Sequence, residues 1–126
     1  MSQGEFKFGA WNEQEKKMYK EVGQTCFPSI EDVFRYGGYI LLRYTSLKDK
    51  NGKDIYEGDL VKYKRYADNL ICLVEFTEYS DGECYGDEKH LGWCVMDGNK
   101  NRKNTLPDIS SLCEIVGNIY ENPNLI

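Results

Sequence analysis

YTSLKDKNGKDIYEGDLVK, residues 44–62, places β-forming residues and turn residues in alternation over a short span. Asn51-Gly52, between lysine-bearing flanks, is a hairpin signal, because both residues tolerate the positive φ that a type I′ turn requires. Glu57-Gly58-Asp59 predicts a second bend. Gly58 supplies backbone freedom there, Asp59 accepts a hydrogen bond from a nearby backbone amide, and Leu60-Val61 opens the next strand. Such a turn is common in SH3-like barrels. A second run of the same character, EIVGNIYENPNLI, extends from Glu114 to Ile126. Both runs specify backbone shape, and neither holds a nucleophile, a metal cluster or a phosphate-binding loop.

Outward from these runs the pattern stays β. YILLRY, DLVKYKRY, LICLVEFTEY, GWCVM and LCEIVGNIY, each bounded by Gly, Asn or Asp, predict five strands of a small SH3-like barrel or meander. In LICLVEFTEY the apolar residues Leu70, Cys72, Val74 and Phe76 share one face, which predicts a core face and a central strand. Asp81-Gly82 and Asp97-Gly98 predict further turns. Near the amino terminus Phe6, Phe8 and Ala10 alternate with Lys7, Gly9 and Trp11, and NEQEKK turns the chain before Met18-Tyr19, as in a hairpin. Pro28, Ser29 with Asp32, and the stop Gly37-Gly38 predict one short helix over Ser29 to Tyr36. The expected fold is mainly β and one domain, 1–126, with a hairpin and helix subregion at 1–38 and a barrel-like body at 39–126. A chain of 126 residues has room for one core, burying about two-thirds of its unfolded surface.

Three segments carry a family resemblance: TSLKDKNGKDIYEGDLV, EIVGNIYENPNLI and the opening KFGAWNEQEKKMY. On them the chain resembles the YopX family of small proteins carried by bacteriophages and prophages. Gly9 departs from the family pattern, which more often has arginine before Ala-Trp, so no role of that arginine carries over. The resemblance implies a mainly β, barrel-like body and a phage or prophage gene product in a bacterial cytoplasm. It brings no biochemical activity with it, the family's molecular task being uncharacterised.

Composition narrows the remaining classes. Apolar residues at 40% and charged residues at 29% are ordinary globular usage. The apolar runs Tyr39–Leu42 and Leu70–Val74 fall far short of the roughly 20 residues of a membrane helix. MSQGEFKFGAW has neither a basic n-region nor an apolar h-region, so a cytoplasmic location without membrane contact is expected. Cys26, Cys72, Cys84, Cys94 and Cys113 are odd in number and lack CxxC spacing, a poor framework for disulfides or zinc. Cys72, Cys94 and Cys113 lie inside apolar runs and read as reduced core residues; Cys84, in DGECYGDEKH, reads as exposed.

No catalytic constellation emerges. His90 is the one histidine and reads as a loop residue. Cys84, His90 and Cys94 match no zinc-knuckle spacing. Asp97, Asn99 and Asn101 begin like a calcium loop, but Arg102 stands at the turn-glycine position and Asp108 at the last ligand, so DGNKNRKN reads as a polar connection. The acids Asp81, Glu83, Asp87 and Glu88 read as a solvated loop. No metal and no cofactor is expected. Charge is uneven: residues 41–66 hold seven lysines and arginines against four acids, and residues 67–98 hold eight acids against one lysine. Such asymmetry steers partners or further copies electrostatically. In Lys62-Tyr63-Lys64-Arg65-Tyr66 basic and aromatic residues interleave, which suits phosphate contact and base stacking on single-stranded nucleic acid. A pI near 4.9 opposes that, and lysines on an edge strand also guard against aggregation. The expectation is a nonenzymatic protein-interaction module binding a host or phage protein, with self-association included. A nucleic-acid-binding regulator using that strand, joined by Lys100, Arg102 and Lys103, is the alternative.

Overall fold

A computed structural model describes residues 8–19, 35, 38–80 and 89–126. Its strands are β1 (Phe8–Asn12), β2 (Lys17–Tyr19), β3 (Tyr39–Lys48), β4 (Asp54–Tyr56), β5 (Asp59–Arg65), β6 (Asp68–Ser80), β7 (Lys89–Met96), β8 (Arg102–Thr105) and β9 (Glu114–Asn118). A one-turn helix, α1 (Leu106–Ile109), follows β8. Two antiparallel sheets result, ordered β2-β1-β3-β4 and β8-β7-β6-β5-β9. The fold is mainly β, with the expected amino-terminal hairpin and with the barrel-like body realised as a curled half-barrel. The helix expected over Ser29 to Tyr36 lies outside the described residues except for Arg35, which is helical.

The strand predicted to be central, β6, stands in the middle of the five-stranded sheet. Its Cys72 and Val74 are fully buried with Val61, Tyr63, Val95, Ile55, Leu106, Ile109 and Cys113. Curl of this sheet is visible in one bond. Tyr63 on β5 donates its hydroxyl to Asn104 Oδ1 on β8 at 2.7 Å, although two strands lie between them. Twist accumulated over successive strands brings the sheet's two sides together around the core, and α1, β4 and Leu47 fill the open side. Burial pushes the Tyr63 phenol up to about 12.

The predicted Gly58 bend and the turn in the carboxy-terminal run tie the sheets to each other. Gly58 adopts φ +89, donates its N–H to Val74 O at 3.0 Å and accepts the Ile119 N–H at 2.9 Å. A Cβ at this position would lie 3.0 Å from the Tyr120 ring, so both conformation and space require glycine. Asp59 is buried and accepts the Tyr56 N–H at 2.8 Å, as its position in the turn predicts. Beyond Gly117, Asn118 accepts the N–H groups of Tyr120 and Glu121, which turns the chain so that Tyr120 stacks on Trp11 with centroids 5.7 Å apart. The carboxy-terminal run is thereby anchored to the amino-terminal hairpin.

Asn51-Gly52 forms its turn differently from expectation. Asp49 and Lys53 close a three-residue loop, Gly52 donates to Asp49 O at 3.0 Å, and Gly52 alone takes positive φ, +81. A two-residue type I′ turn needs positive φ at both central residues; Asp49 removes that need by organising the loop itself. Its Oδ1 accepts the N–H groups of Asn51 and Lys53, each at 2.9 Å, and its Oδ2 accepts the Ile115 N–H on β9 at 3.0 Å. The DGNKNRKN stretch departs further. Asp97 Oδ1 accepts the Asn99 and Asn101 N–H groups, and the chain then pairs with β7 as β8, a strand made of Arg-Lys-Asn-Thr that no apolar alternation announces.

Asp49 sits buried, and burial raises its carboxyl pKa, but the backbone donors of Ile115, Lys53 and Asn51 together hold it below the ordinary value of 3.8. Its contribution to stability is therefore complete above about pH 4 and fades as pH falls through the lower folded-state value. Asp49→Ala leaves three amides without their acceptor and should cost about 3 kcal/mol in urea unfolding at neutral pH. Asp49→Asn should make stability less sensitive to acid than in the wild type.

Candidate interaction surface

Alternation on β5 separates the five residues of the basic and aromatic motif. Lys62 and Lys64 are exposed, whereas Tyr63 points into the core and is bonded to Asn104. Tyr66 stands 88% exposed at φ +56 in the two-residue turn closed by the Arg65–Asp68 pair, with the Arg65 guanidinium 5.4 Å from its ring centroid. The strand is not a free edge along its length: β9 pairs with Asp59, Leu60, Val61 and Lys62, leaving one side open only from Tyr63 to Arg65. Arg102 and Lys103 do not extend this patch. Arg102 lies over the Tyr79 ring at 5.0 Å and donates to Ser80 O at 3.1 Å, and Lys103 pairs with Asp97 at 3.5 Å.

A different group is assembled where β6 and β7 outrun the core. The β6 face that is buried at Cys72 and Val74 continues to Phe76, which is 39% exposed. Across the ladder Phe76 pairs with Trp93, the rings meeting edge to face at 5.2 Å. Arg43 on β3 places its guanidinium 5.0 Å from the Phe76 centroid and 5.2 Å from that of Trp93. Its Nε and Nη2 donate to the two carboxylate oxygens of Glu57 at 3.2 and 3.0 Å. The Glu57 bond raises the already high Arg43 pKa, so the cation is permanent. Leu91, two positions from Trp93 on the same face of β7, is 69% exposed, and Lys89 beside it reaches Glu78 at 3.5 Å. The result is an apolar stripe, Phe76–Trp93–Leu91, bordered by a fixed cation and two ion pairs.

In the sequence Phe76 reads only as a core residue, and nothing local marks Arg43, Trp93 or Leu91 as a surface. The local signal was a strand with an apolar face; where that face leaves the core depends on the length of the sheet opposite it.

His90 belongs to β7, not to a loop, and lies beside the Tyr79 ring at 5.4 Å. Cys72, Cys94 and Cys113 are buried free thiols. Burial raises all three, Cys113 to about 11, with the Asp49 charge adding to the effect at Cys113. Among the described residues, no group of three or more His, Cys, Asp and Glu is gathered as a metal would need, and no helix is long and apolar enough to cross a membrane. Cys84 and the acids Asp81, Glu83, Asp87 and Glu88 lie outside the described residues.

Comparison with known proteins gives two positive findings. A family model described as YopX protein matches residues 21–126; the opening segment at 7–19 lies outside the match. Among solved structures, the crystal structure of protein EF1440 from Enterococcus faecalis is similar with a TM-score of 0.59 and 25% sequence identity, covering 98% of this chain and 99% of that one. No curated protein matches.

Thiols this deeply placed and this weakly acidic should resist alkylation. Native protein treated with a maleimide at neutral pH should label at no more than two of its five cysteines, and mass mapping should find Cys72, Cys94 and Cys113 unmodified until denaturant is added.

Proposed function

The chain belongs to the YopX family, and on that premise we propose that it is a nonenzymatic accessory protein of a phage or prophage whose task is to bind another protein. The observation that carries this reading is the Phe76–Trp93–Leu91 stripe with Arg43 fixed over its rings. Exposed aromatic side chains beside an arginine are the composition of binding hot spots. The rings there are held by the ladder and by the cation, so little side-chain freedom is lost when a partner covers them. Arg43 and Glu57 saturate each other in a bidentate pair, which leaves the apolar area as the attractive element and the ion pairs as its rim.

A nucleic-acid reading retains one supporting observation, the exposed Tyr66 with Arg65 over its ring and Lys62 and Lys64 nearby on the same hairpin. It uses Lys62, Lys64, Arg65 and Tyr66; Tyr63, being buried, supports it only by holding the strand. Two lysines, an arginine and one stacking ring amount to few phosphate contacts for an acidic protein.

Affinity capture from lysogenic or infected cells should recover a specific protein with the wild type and lose most of it with Trp93→Ser, whose fold is checked by circular dichroism; recovery by both alike removes the stripe from the function. Fluorescence anisotropy with single-stranded and duplex oligonucleotides at low salt should stay flat. Salt-sensitive binding that Lys64→Glu abolishes would replace the protein-binding reading with the nucleic-acid one.

A further inference from the structure

Among the described residues, β7 has a partner along only part of its outer edge. It pairs with β6 from Lys89 to Met96, but on its other side β8 meets only Cys94, Val95 and Met96. The chain cannot continue that pairing, because after Thr105 it turns into α1 with Pro107 in the first turn and buries Leu106 and Ile109 in the core. From Leu91 to Trp93 the edge therefore has no partner strand among the described residues. Proteins ordinarily protect such an edge with charge, proline or a bulge. None stands within Leu91-Gly92-Trp93, and Leu91 is instead the most exposed aliphatic side chain among the described residues.

We infer that a second copy of this chain adds to this edge, its β7 running antiparallel to the first about a two-fold axis at Leu91. The edge backbone from Leu91 to Trp93, without a partner strand among the described residues, calls for an extended strand, and the segment Lys89–Trp93 complements itself in sequence. Read against its own reverse, Leu91 faces the partner's Leu91, and Lys89 faces the partner's Trp93, a cation opposite an aromatic ring. No like charges are brought opposite each other: the one ionic side chain of this segment is Lys89, and Glu78 beneath it is already its ion-pair partner. An interface that is the same on both copies closes after two, because each copy's β7 edge is then occupied. The two half-barrels become one continuous sheet, with a stripe from each copy meeting at the axis. This rests on the reading of the Phe76–Trp93–Leu91 stripe as a protein-binding surface and names its partner.

Sedimentation equilibrium from low to high micromolar concentration tests it. The wild type should approach twice the 14.6 kDa chain mass and dissociate on dilution, and the amides of Leu91 and Trp93 should exchange about tenfold more slowly in the concentrated sample. Leu91→Lys, which sets two ammonium groups against each other across the axis, should sediment at the chain mass and melt at the temperature of the dilute, monomeric wild type. Leu112→Lys, at an exposed leucine away from β7, should remain dimeric. A wild type that stays at the chain mass throughout, or a Leu91→Lys protein that dimerises as the wild type does, overturns the pairing. If that monomer still captures a foreign protein through Trp93, the self-pairing fails while the broader protein-interaction reading stands.

Discussion

One carboxylate joins parts of the chain 66 residues apart. Asp49 closes the β3–β4 loop with one oxygen and reaches the β9 backbone with the other, and beside it the Lys50 N–H is bonded to Cys113 O at 2.9 Å. These bonds pin a hairpin of the smaller sheet to the last strand of the larger one. The loop tip could otherwise swing on its glycine, and Ile55 and Leu47, which the same hairpin carries into the core, would lose their position. A buried carboxylate is tolerable here because each of its oxygens has backbone donors, and a charged acceptor strengthens each of those bonds. The same device recurs at the half-buried Asp97, whose Oδ1 accepts two loop amides and whose Oδ2 meets Lys103 on β8, shaping a turn within one sheet.

Once the hairpin is fixed, the described residues place a lid over part of the larger sheet's concave face. Ile55, Leu106, Ile109 and Cys113 cover β5, the first half of β6 and the second half of β7, and the remaining halves of β6 and β7 extend as an arm. An arm made from a core-facing pattern presents apolar residues to solvent, and this one does so at Phe76 and Leu91, with Trp93 half-buried between them. Arg43 partly covers the rings from β3 while Glu57 holds it in place, so the neighbouring sheet stiffens the stripe without burying it. Surface with these properties is favourable to cover and needs little reorganisation when covered. The proposed role as a binding module, and the pairing of two copies along β7, both grow from this mismatch between the length of the strands and the extent of the core.

Much of the framework was legible residue by residue. Gly58 and Asp59 announced a bend because no other pair supplies a left-handed backbone and a short carboxylate in succession; Leu70 to Phe76 announced a central strand because alternation is a local property. Asn51-Gly52 announced a turn, but its type depended on Asp49, two positions earlier, whose role is set by contact with Ile115. Residues 102–105 carried no apolar signal, and their pairing with β7 follows from the Asp97 loop that folds them back. At the surface, Lys62 to Tyr66 looked like a uniform basic and aromatic patch in one dimension, yet β geometry sends Tyr63 inward to Asn104 and leaves Lys62 and Lys64 outside.

Turns and the order of strands along the chain were thus written into short windows of the sequence, since each depends on the conformational preferences and spacing of adjacent residues. The curl that joins Tyr63 to Asn104, the stacking of Trp11 on Tyr120, and the gathering of Arg43, Phe76 and Trp93 exist only in the folded molecule. They bring together residues from separate strands, and the relative placement of those strands is set by the sum of twist, packing and chain closure, which no local pattern contains.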